Sequence, residues 1–309
     1  MQFRKGPIMV RVFAFPGQGS QARGMGAGLF DEFPEHVRRA DAILGYSIQD
    51  LCLDDNAGRL LSTRYTQPAL FTVNALSFLK RRLAGEPMPD AFVGHSLGEY
   101  NALFAAGAFD FETGLRLVQK RGELMAEAAP GGMAAVLGLT AERVRQILTA
   151  SGLRDIDVAN YNGPTQTIIA GPRGSLEAAE TWFCDDEVSY IPLNVSAAFH
   201  SRQMLAMIGE FAHFLEGFDY GPLRIPVIAN VDAQPYVDGG IVSRLTAQVW
   251  KPVLWEDCIR TLIARGPLQF EEVGPGTVLT GLVSAIVRER EPVAGPRAAQ
   301  SAKVHGAIS

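Results

Sequence analysis

A serine between two glycines is the first residue of this sequence whose setting suggests chemistry. The stretch GHSLG, residues 94–98, has the G-x-S-x-G spacing of a nucleophile elbow, a tight strand-to-helix turn that exposes the serine hydroxyl. Strand-like AFV precedes it and helix-like LGEYNALFAAGAF follows it, which places Ser96 at a helix N-terminus. The pattern predicts a nucleophile, and the simpler alternative is a serine that only caps the helix.

A nucleophilic serine needs a general base, because its hydroxyl is weakly reactive by itself. The chain has five histidines. We predict surface or packing roles for three of them, His36, His213 and His305. We expect His95, next to the serine, to point away from the hydroxyl. His200 remains as the predicted base, with a packed core histidine as the alternative.

The group that would orient the imidazole of His200 is not selected by the sequence. Three aspartates follow it, Asp219, Asp232 and Asp257, and none is favoured by its surroundings. A backbone carbonyl is the other group that can accept from the second ring nitrogen.

An arginine on the apolar side of a predicted helix is the second informative residue. In FETGLRLVQKRGELMAEA, residues 111–128, Arg121 falls within the arc formed by Leu115, Val118, Gly122 and Met125. A buried guanidinium requires an anion or equivalent acceptors, because an unpaired buried charge is costly. The alternatives are a structural ion pair and a seat for a substrate carboxylate.

A glycine-rich loop follows the first predicted strand. FAFPGQGSQARGMG, residues 13–26, fits the dinucleotide fingerprint only loosely, and no Gly-Lys-Ser/Thr follows. The residues alone leave two interpretations, a phosphate cradle and a loop that offers backbone N–H groups to another oxygen.

The order of predicted elements indicates a small domain within a larger α/β one. Between residues 132 and 196 the pattern is β-α-β-β-α-β, and helical spacing dominates from 30 to 85. We expect a leader at 1–8, a large subdomain at 9–130 and 199–291, a small subdomain at 131–198, and a linker or tail at 292–309. His200 would then lie where the chain returns to the large subdomain, a natural place for a cleft.

The composition excludes several classes of function. The net charge of −5 argues against nucleic-acid binding, and no apolar run is long enough to span a membrane. The three cysteines are scattered without metal-ligand spacing, so we expect no metal site, free thiols and a cytoplasmic protein.

The ordered motifs of this sequence resemble those of one family. FPGQGSQ, GHSLGEY, KRGELM, NYNGPTQTIIAG, AFHS and EVGPGTVLTGL, over residues 10 to about 290, are similar to malonyl-CoA:acyl carrier protein transacylases and to the acyltransferase domains of polyketide synthases. The chain also resembles the discrete, trans-acting acyltransferases of polyketide biosynthesis. The resemblance implies a large α/β-hydrolase-like subdomain with an inserted ferredoxin-like one of βαββαβ order.

The resemblance also implies roles for individual residues. Ser96 would carry the acyl group, His200 would transfer the proton, and the N–H groups of Gln18 and Leu97 would form the oxyanion hole. Arg121 would bind the malonyl carboxylate, and Phe199, just before the histidine, would favour malonyl over methylmalonyl; Asn162 would lie near the pocket. The main-chain carbonyl that orients the histidine in this family would come from the segment PVLW, where Leu254 replaces a glutamine.

The implied reaction moves a malonyl group from malonyl-CoA, as the donor substrate, through an acyl-serine to the phosphopantetheine thiol of an acyl carrier protein. It needs no permanently bound cofactor and serves polyketide or fatty acid biosynthesis. Two other functions remain open, an acyl hydrolase that edits carrier thioesters and a non-catalytic module that binds the carrier.

Overall fold

Two four-stranded sheets organise the chain. The computed structural model describes residues 9–183, 187–237 and 239–290. The strands are β1 (Val10–Phe15), β2 (Ala91–Gly94), β3 (Gly132–Leu137), β4 (Asp157–Gly163), β5 (Gln166–Gly171), β6 (Ser189–Pro192), β7 (Val227–Ile228) and β8 (Leu268–Glu272). One sheet has the order β7-β2-β1-β8 and the other has the order β4-β5-β3-β6.

Helices surround both sheets. The α-helices are α1 (Leu29–Glu32), α2 (Pro34–Leu44), α3 (Ile48–Leu53), α4 (Thr63–Leu83), α5 (Gly98–Ala106), α6 (Phe111–Ala126), α7 (Ala141–Ser151), α8 (Arg173–Glu180), α9 (Ile208–Glu216), α10 (Ile241–Gln248), α11 (Trp255–Ile263) and α12 (Val278–Arg290). Short 3₁₀ turns lie at Arg59–Leu61, Thr181–Phe183 and Arg202–Met207.

The first sheet is parallel and is covered on both faces. Its central strand β1 pairs in parallel with β2 and with β8. Side chains alternate along β1, so Phe13 and Phe15 join one core cluster while Val12 and Ala14 join another with Trp255. Burial on both sides explains the nearly continuous apolar sequence of this strand.

The second sheet contains the elements that the pattern at 132–196 predicts. β3, α7, β4, β5, α8 and β6 follow one another, and β3 pairs antiparallel with both β5 and β6. Val136, Val144, Ile169 and Leu176 pack between the sheet and its two helices. Strand β6 has only four residues, and β7 in the first sheet has only two.

Helix α6 carries Arg121 into the interior, as the helical pattern predicts. The side chain of Asp110 caps this helix by accepting from the Thr113 N–H at 2.8 Å. A Cβ at Gly122 would lie 2.9 Å from the Thr63 carbonyl oxygen, so this glycine allows α6 to approach α4 closely. Arg121 is 1% exposed and therefore lies in the core between helices rather than on a charged face.

Some of the expectations fall outside the described residues. The predicted leader at 1–8 and the tail at 292–309 lie there, as does Cys184. Cys52 and Cys258 are buried and free. Among the helices that the structure describes, none is long and apolar enough to cross a membrane.

Candidate active site

The turn at Ser96 has the geometry of a nucleophile elbow. Ser96 joins β2 to α5 with φ 51°, a left-handed conformation that L-residues rarely adopt. A Cβ at Gly94 would lie 1.9 Å from the Gly98 carbonyl carbon, and one at Gly98 would lie 1.9 Å from the Phe15 carbonyl oxygen. Both glycines are therefore required by close backbone approach, which explains the spacing G-x-S-x-G.

The glycine-rich loop packs directly against this elbow. A Cβ at Gly17 would lie 2.3 Å from the His95 carbonyl oxygen, so only glycine fits. Further along the loop Gly19, Gly24 and Gly26 have positive φ, and the chain forms turns where a phosphate-binding helix would have to begin. This geometry favours the second interpretation of the loop, in which it offers N–H groups beside Ser96.

Two backbone N–H groups beside the serine have no protein acceptor. Within residues 9–183, 187–237 and 239–290, neither Gln18 nor Leu97 donates a backbone hydrogen bond. The Gln18 side chain is fixed, because its Oε1 accepts from Thr63 Oγ1 at 3.0 Å. Free N–H groups at this position are the arrangement expected of an oxyanion hole.

Ser96 and His200 form the predicted pair. Ser96 Oγ lies 2.7 Å from His200 Nε2, and His200 Nδ1 lies 2.8 Å from the main-chain carbonyl oxygen of Gln248. Since a carbonyl only accepts, Nδ1 carries the proton and Nε2 is free to accept the serine proton.

The source of the orienting carbonyl differs from the expectation. The segment PVLW does not supply it, because His200 Nδ1 bonds to the Gln248 carbonyl oxygen, while the Leu254 carbonyl accepts from the Cys258 N–H in α11 at 2.9 Å. Gln248 is the last residue of α10, where helix carbonyls have no partner within the helix and remain available. Of the three aspartates considered, Asp232 pairs with Arg244 at 2.9 Å.

Arg121 lies beside the nucleophile without a carboxylate partner. Its Nη1 donates to Gln67 Oε1 at 2.7 Å, and its Nη2 donates to Ser96 Oγ at 3.1 Å and to Gln248 Oε1 at 3.0 Å. Among the described residues no carboxylate oxygen lies within 4.0 Å of its guanidinium nitrogens. The structural ion pair is therefore absent from this part of the chain, and the positive charge faces the serine.

Burial and the neighbouring cation keep the base neutral. Removal from water and the charge of Arg121 lower the pKa of His200 to about 3, against the opposing effect of the Gln248 carbonyl. Burial likewise lowers the pKa of His95, whose Nε2 lies 2.9 Å from Asn162 Oδ1. His95 thus bonds to Asn162 rather than to the serine hydroxyl, as expected.

All the predicted site residues meet in one cleft of about 160 Å³ between the two sheets. It is lined by Gln18, His95, Ser96, Leu97, Arg121, Met125, Met133, Asn160, Asn162, Ile168, Leu193, Val195, Phe199 and His200. Among the described residues no group of His, Cys, Asp and Glu could hold a metal ion. The groups of this cleft that can take part in chemistry include the serine hydroxyl, the imidazole and the guanidinium.

The sequence analysis missed four residues that support the site: Gln67, Glu99, Asn230 and Gln248. Asn230 Oδ1 accepts from the Ser96 N–H at 2.8 Å, and its Nδ2 donates to the Gly94 carbonyl at 2.7 Å. It therefore holds the elbow on both sides. Only Glu99 and Gln67 stand out in retrospect, as polar residues within apolar helical runs.

A serine paired with a neutral imidazole beside free N–H groups defines the class of serine acyltransferases and hydrolases. The family model described as acyl transferase domain matches residues 12–305, and the chain belongs to this family. The polyketide biosynthesis malonyl CoA-acyl carrier protein transacylase BaeC of Bacillus velezensis is 52% identical over 281 residues, which cover 90% of this chain and 97% of that protein.

Solved structures show the same fold. The malonyl CoA-acyl carrier protein transacylase of Burkholderia pseudomallei is 46% identical with a TM-score of 0.89, over 92% of this chain and 100% of that one. A malonyl-transacylase solved in complex with its type II PKS acyl-carrier protein is 34% identical with a TM-score of 0.85, over 90% and 93% of the two chains.

Proposed function

We propose that this protein transfers a malonyl group from malonyl-CoA to the phosphopantetheine thiol of an acyl carrier protein. One observation carries the proposal: the same serine oxygen lies 2.7 Å from a general base and 3.1 Å from a buried guanidinium nitrogen. In a malonyl group a single carbon separates the reacting carbonyl from a carboxylate. A donor seated on Arg121 therefore presents its thioester carbonyl to Ser96.

The reaction follows from this geometry in two halves. His200 Nε2 takes the hydroxyl proton as Ser96 Oγ attacks the thioester carbon, and the N–H groups of Gln18 and Leu97 stabilise the oxyanion. The C–S bond breaks, and the coenzyme A sulfur leaves with the proton from His200. The carrier thiol then gives its proton to His200, its sulfur attacks the ester, and Ser96 Oγ regains the proton as it leaves.

Donor choice rests on two side chains. Arg121 pairs with the free carboxylate of the malonyl group. An uncharged acyl chain offers no partner for a buried guanidinium, so Arg121 supports malonyl transfer over the editing hydrolase. Phe199 is 5% exposed, precedes His200 and lines the cleft, where its ring would crowd an α-methyl group. Asn162 positions His95 at the cleft wall.

The partner, pathway and location form part of the same proposal. The name of the relative from Bacillus velezensis supports polyketide biosynthesis, and the match to 97% of that protein's length supports a discrete acyltransferase, which we propose to be trans-acting. The solved complex of a related transacylase with its carrier supports an acyl carrier protein as acceptor. The buried free thiols of Cys52 and Cys258 support a reducing cytoplasm, and none of the proposed steps requires a bound cofactor.

The subdomain boundaries are also proposed. We assign residues 9–130 and 199–291 to an α/β-hydrolase-like subdomain and residues 131–198 to an inserted ferredoxin-like one. The parallel order β7-β2-β1-β8 with the elbow after β2 supports the first assignment. The antiparallel order β4-β5-β3-β6 with two helices supports the second.

Intact-protein mass spectrometry tests the function directly. The protein is incubated briefly with equal amounts of malonyl-, methylmalonyl- and acetyl-CoA, with Ser96→Ala as the matched control. We expect a malonyl adduct on the wild type and none on the variant. Release of free coenzyme A without an adduct would instead identify a hydrolase, and neither adduct nor turnover would identify a binding module.

The same mixture tests the role of Phe199. Replacement Phe199→Ser opens space beside the α-carbon, and one methyl group changes binding by about 1–3 kcal/mol. We expect the methylmalonyl share of the adduct to rise while total loading persists. An unchanged malonyl to methylmalonyl ratio would refute the steric explanation.

A further inference from the structure

A fully buried carboxyl group lies behind the nucleophile and does not line the cleft. Glu99, in the first turn of α5, is 0% exposed. The Tyr236 hydroxyl donates to its Oε1, while Gln248 Nε2 and the Asn230 N–H donate to its Oε2 at 2.8 and 3.1 Å. A group that only accepts hydrogen bonds fits the ionised carboxylate.

The Gln248 side chain connects this carboxylate to the arginine. Its Nε2 donates to Glu99 and, at 2.8 Å, to the Ser96 carbonyl, while its Oε1 accepts from Arg121 Nη2 at 3.0 Å. Rotating the amide by half a turn would place its NH₂ against the guanidinium and its oxygen against two acceptors. Glu99, the charged one of these two acceptors, therefore determines together with the Ser96 carbonyl which end of Gln248 faces Arg121.

The carboxylate also holds the residue that clamps the elbow. The main-chain N–H of Asn230 donates to Glu99, while the Asn230 side chain bonds to backbone groups on either side of His95. Glu99 is thus the shared acceptor of Asn230 and Gln248, which position Ser96 and Arg121.

We propose that Glu99 is a positioning residue that sets the preference for a carboxylate-bearing donor, because it fixes the Gln248 amide whose oxygen holds Arg121. The inference rests on the malonyl transfer proposed above. Glu99 does not touch the donor, and its effect reaches the malonyl carboxylate only through Gln248 and Arg121. An uncharged acetyl donor, which does not use the guanidinium, should respond much less to its loss.

The ionisation of Glu99 supports this role. Burial raises its pKa to about 7, opposed by its hydrogen bonds and by Arg121. The other titratable groups facing it are Tyr236, Tyr100 and Cys258, with Arg244 over the Tyr236 ring. Loss of the charge as the pH falls through neutrality should therefore weaken the preference for malonyl.

The test compares donors in Glu99→Gln, which keeps the size of the side chain and removes its charge. We expect the ratio of kcat/KM for malonyl-CoA to that for acetyl-CoA to fall about tenfold, the effect of one hydrogen bond to a charged group, mainly through KM for malonyl-CoA. Tyr236→Phe is the second variant, because it keeps the bonds of Glu99 to Gln248 and Asn230 but removes the Tyr236 hydroxyl, which lowers the pKa of Glu99. Its donor ratio should equal that of the wild type at alkaline pH and should fall at a higher pH than the wild-type ratio does.

Equal losses for both donors, or an unchanged ratio, would overturn the inference. If Glu99→Gln does not fold, the donor ratio of the wild type between about pH 8 and about pH 6 decides, since both donors share His200 and its titration cancels. A malonyl to acetyl ratio that decreases as the pH is lowered supports the role of Glu99, and a constant ratio contradicts it. A wild type without a malonyl adduct would refute the proposed function itself.

Discussion

At the scale of single residues, the site combines a buried cation with a buried neutral base. Arg121 and His200 both contact Ser96 Oγ, and burial together with the Arg121 charge lowers the pKa of His200 and keeps the imidazole unprotonated. The same charge that would seat the donor carboxylate thus also maintains the base in its active form. The two effects can be separated by experiment.

Replacing Arg121 should remove the seat for the carboxylate. We expect Arg121→Ala to reduce kcat/KM for malonyl-CoA by the equivalent of about 2–5 kcal/mol, because the substrate carboxylate loses a desolvated partner. Arg116→Ala, on the exposed face of the same helix, is the control and should leave the rate unchanged. Unaltered malonyl loading in Arg121→Ala would contradict the assigned role.

The pH dependence should reflect the depressed pKa of His200, about 3 against an ordinary 6.5. Neutral imidazole then persists below pH 6.5. With acetyl-CoA as the donor, which depends little on the charge of Glu99, the acid limb of kcat/KM for serine acylation should therefore lie below that value. In Arg121→Ala, also measured with acetyl-CoA, the acid limb should move to higher pH, toward 6.5, because the Arg121 charge no longer lowers the pKa of His200. A wild-type limb at 6.5 would show that the base is not depressed.

The free energy of unfolding should also depend on pH through the lowered pKa of His200. As pH falls below 6.5, the unfolded chain protonates its histidine before the native state does. The contribution of His200 to stability is therefore complete above 6.5 and is lost progressively toward 3.

At the scale of elements, backbone contacts bring the reacting groups together. The loop after β1 touches the elbow through Gly17, the C-terminus of α10 supplies a free carbonyl, and the close contact of α4 with α6 places Gln67 beside Arg121. Each contact requires a small residue or an unpaired backbone group at one position. Substitutions there should affect catalysis more than their size suggests.

A methyl group at Gly17 should disturb the oxyanion hole. Its Cβ would lie 2.3 Å from the His95 carbonyl oxygen, so Gly17→Ala must push the Gln18 N–H away from the cleft. We expect acylation to slow by about 10²–10³-fold, the usual effect of losing one such donor. Gly174→Ala, in α8 with open space around its Cβ, is the control and should leave acylation unchanged. Wild-type acylation in Gly17→Ala would argue against the loop donor.

At the scale of the whole molecule, main-chain bonds join strand β4 of the second sheet to the segment between α10 and α11. The Val253 N–H donates to the Ala159 carbonyl and the Tyr161 N–H donates to the Val253 carbonyl, both at 2.9 Å. Nearby, Arg202 pairs with Asp157 at the surface. The buried packing and these backbone bonds, rather than the surface ion pair, should hold the cleft together.

Urea unfolding of two variants should show this difference. Trp255→Ala empties a site that is 0% exposed beneath the His95 ring and should lower the free energy of unfolding by about 3–5 kcal/mol. Asp157→Asn removes only the surface charge pair and should cost at most about 1 kcal/mol. Equal losses would mean that the surface ion pair contributes as much to stability as the buried core, and would contradict this expectation.

The sequence by itself determined the features that depend on local pattern. The elbow at Ser96, the inward position of Arg121 and the six elements between 132 and 196 follow from spacing along one strand or helix. The partners of these residues are decided by packing between distant segments: Gln248 is 48 positions from His200, and Asn230 is 134 positions from Ser96. No local periodicity encodes such contacts, and the orienting carbonyl was accordingly expected from the wrong segment. Only the tertiary structure shows which helix end, amide and buried carboxylate complete the site, because these groups satisfy one another only after the chain has folded.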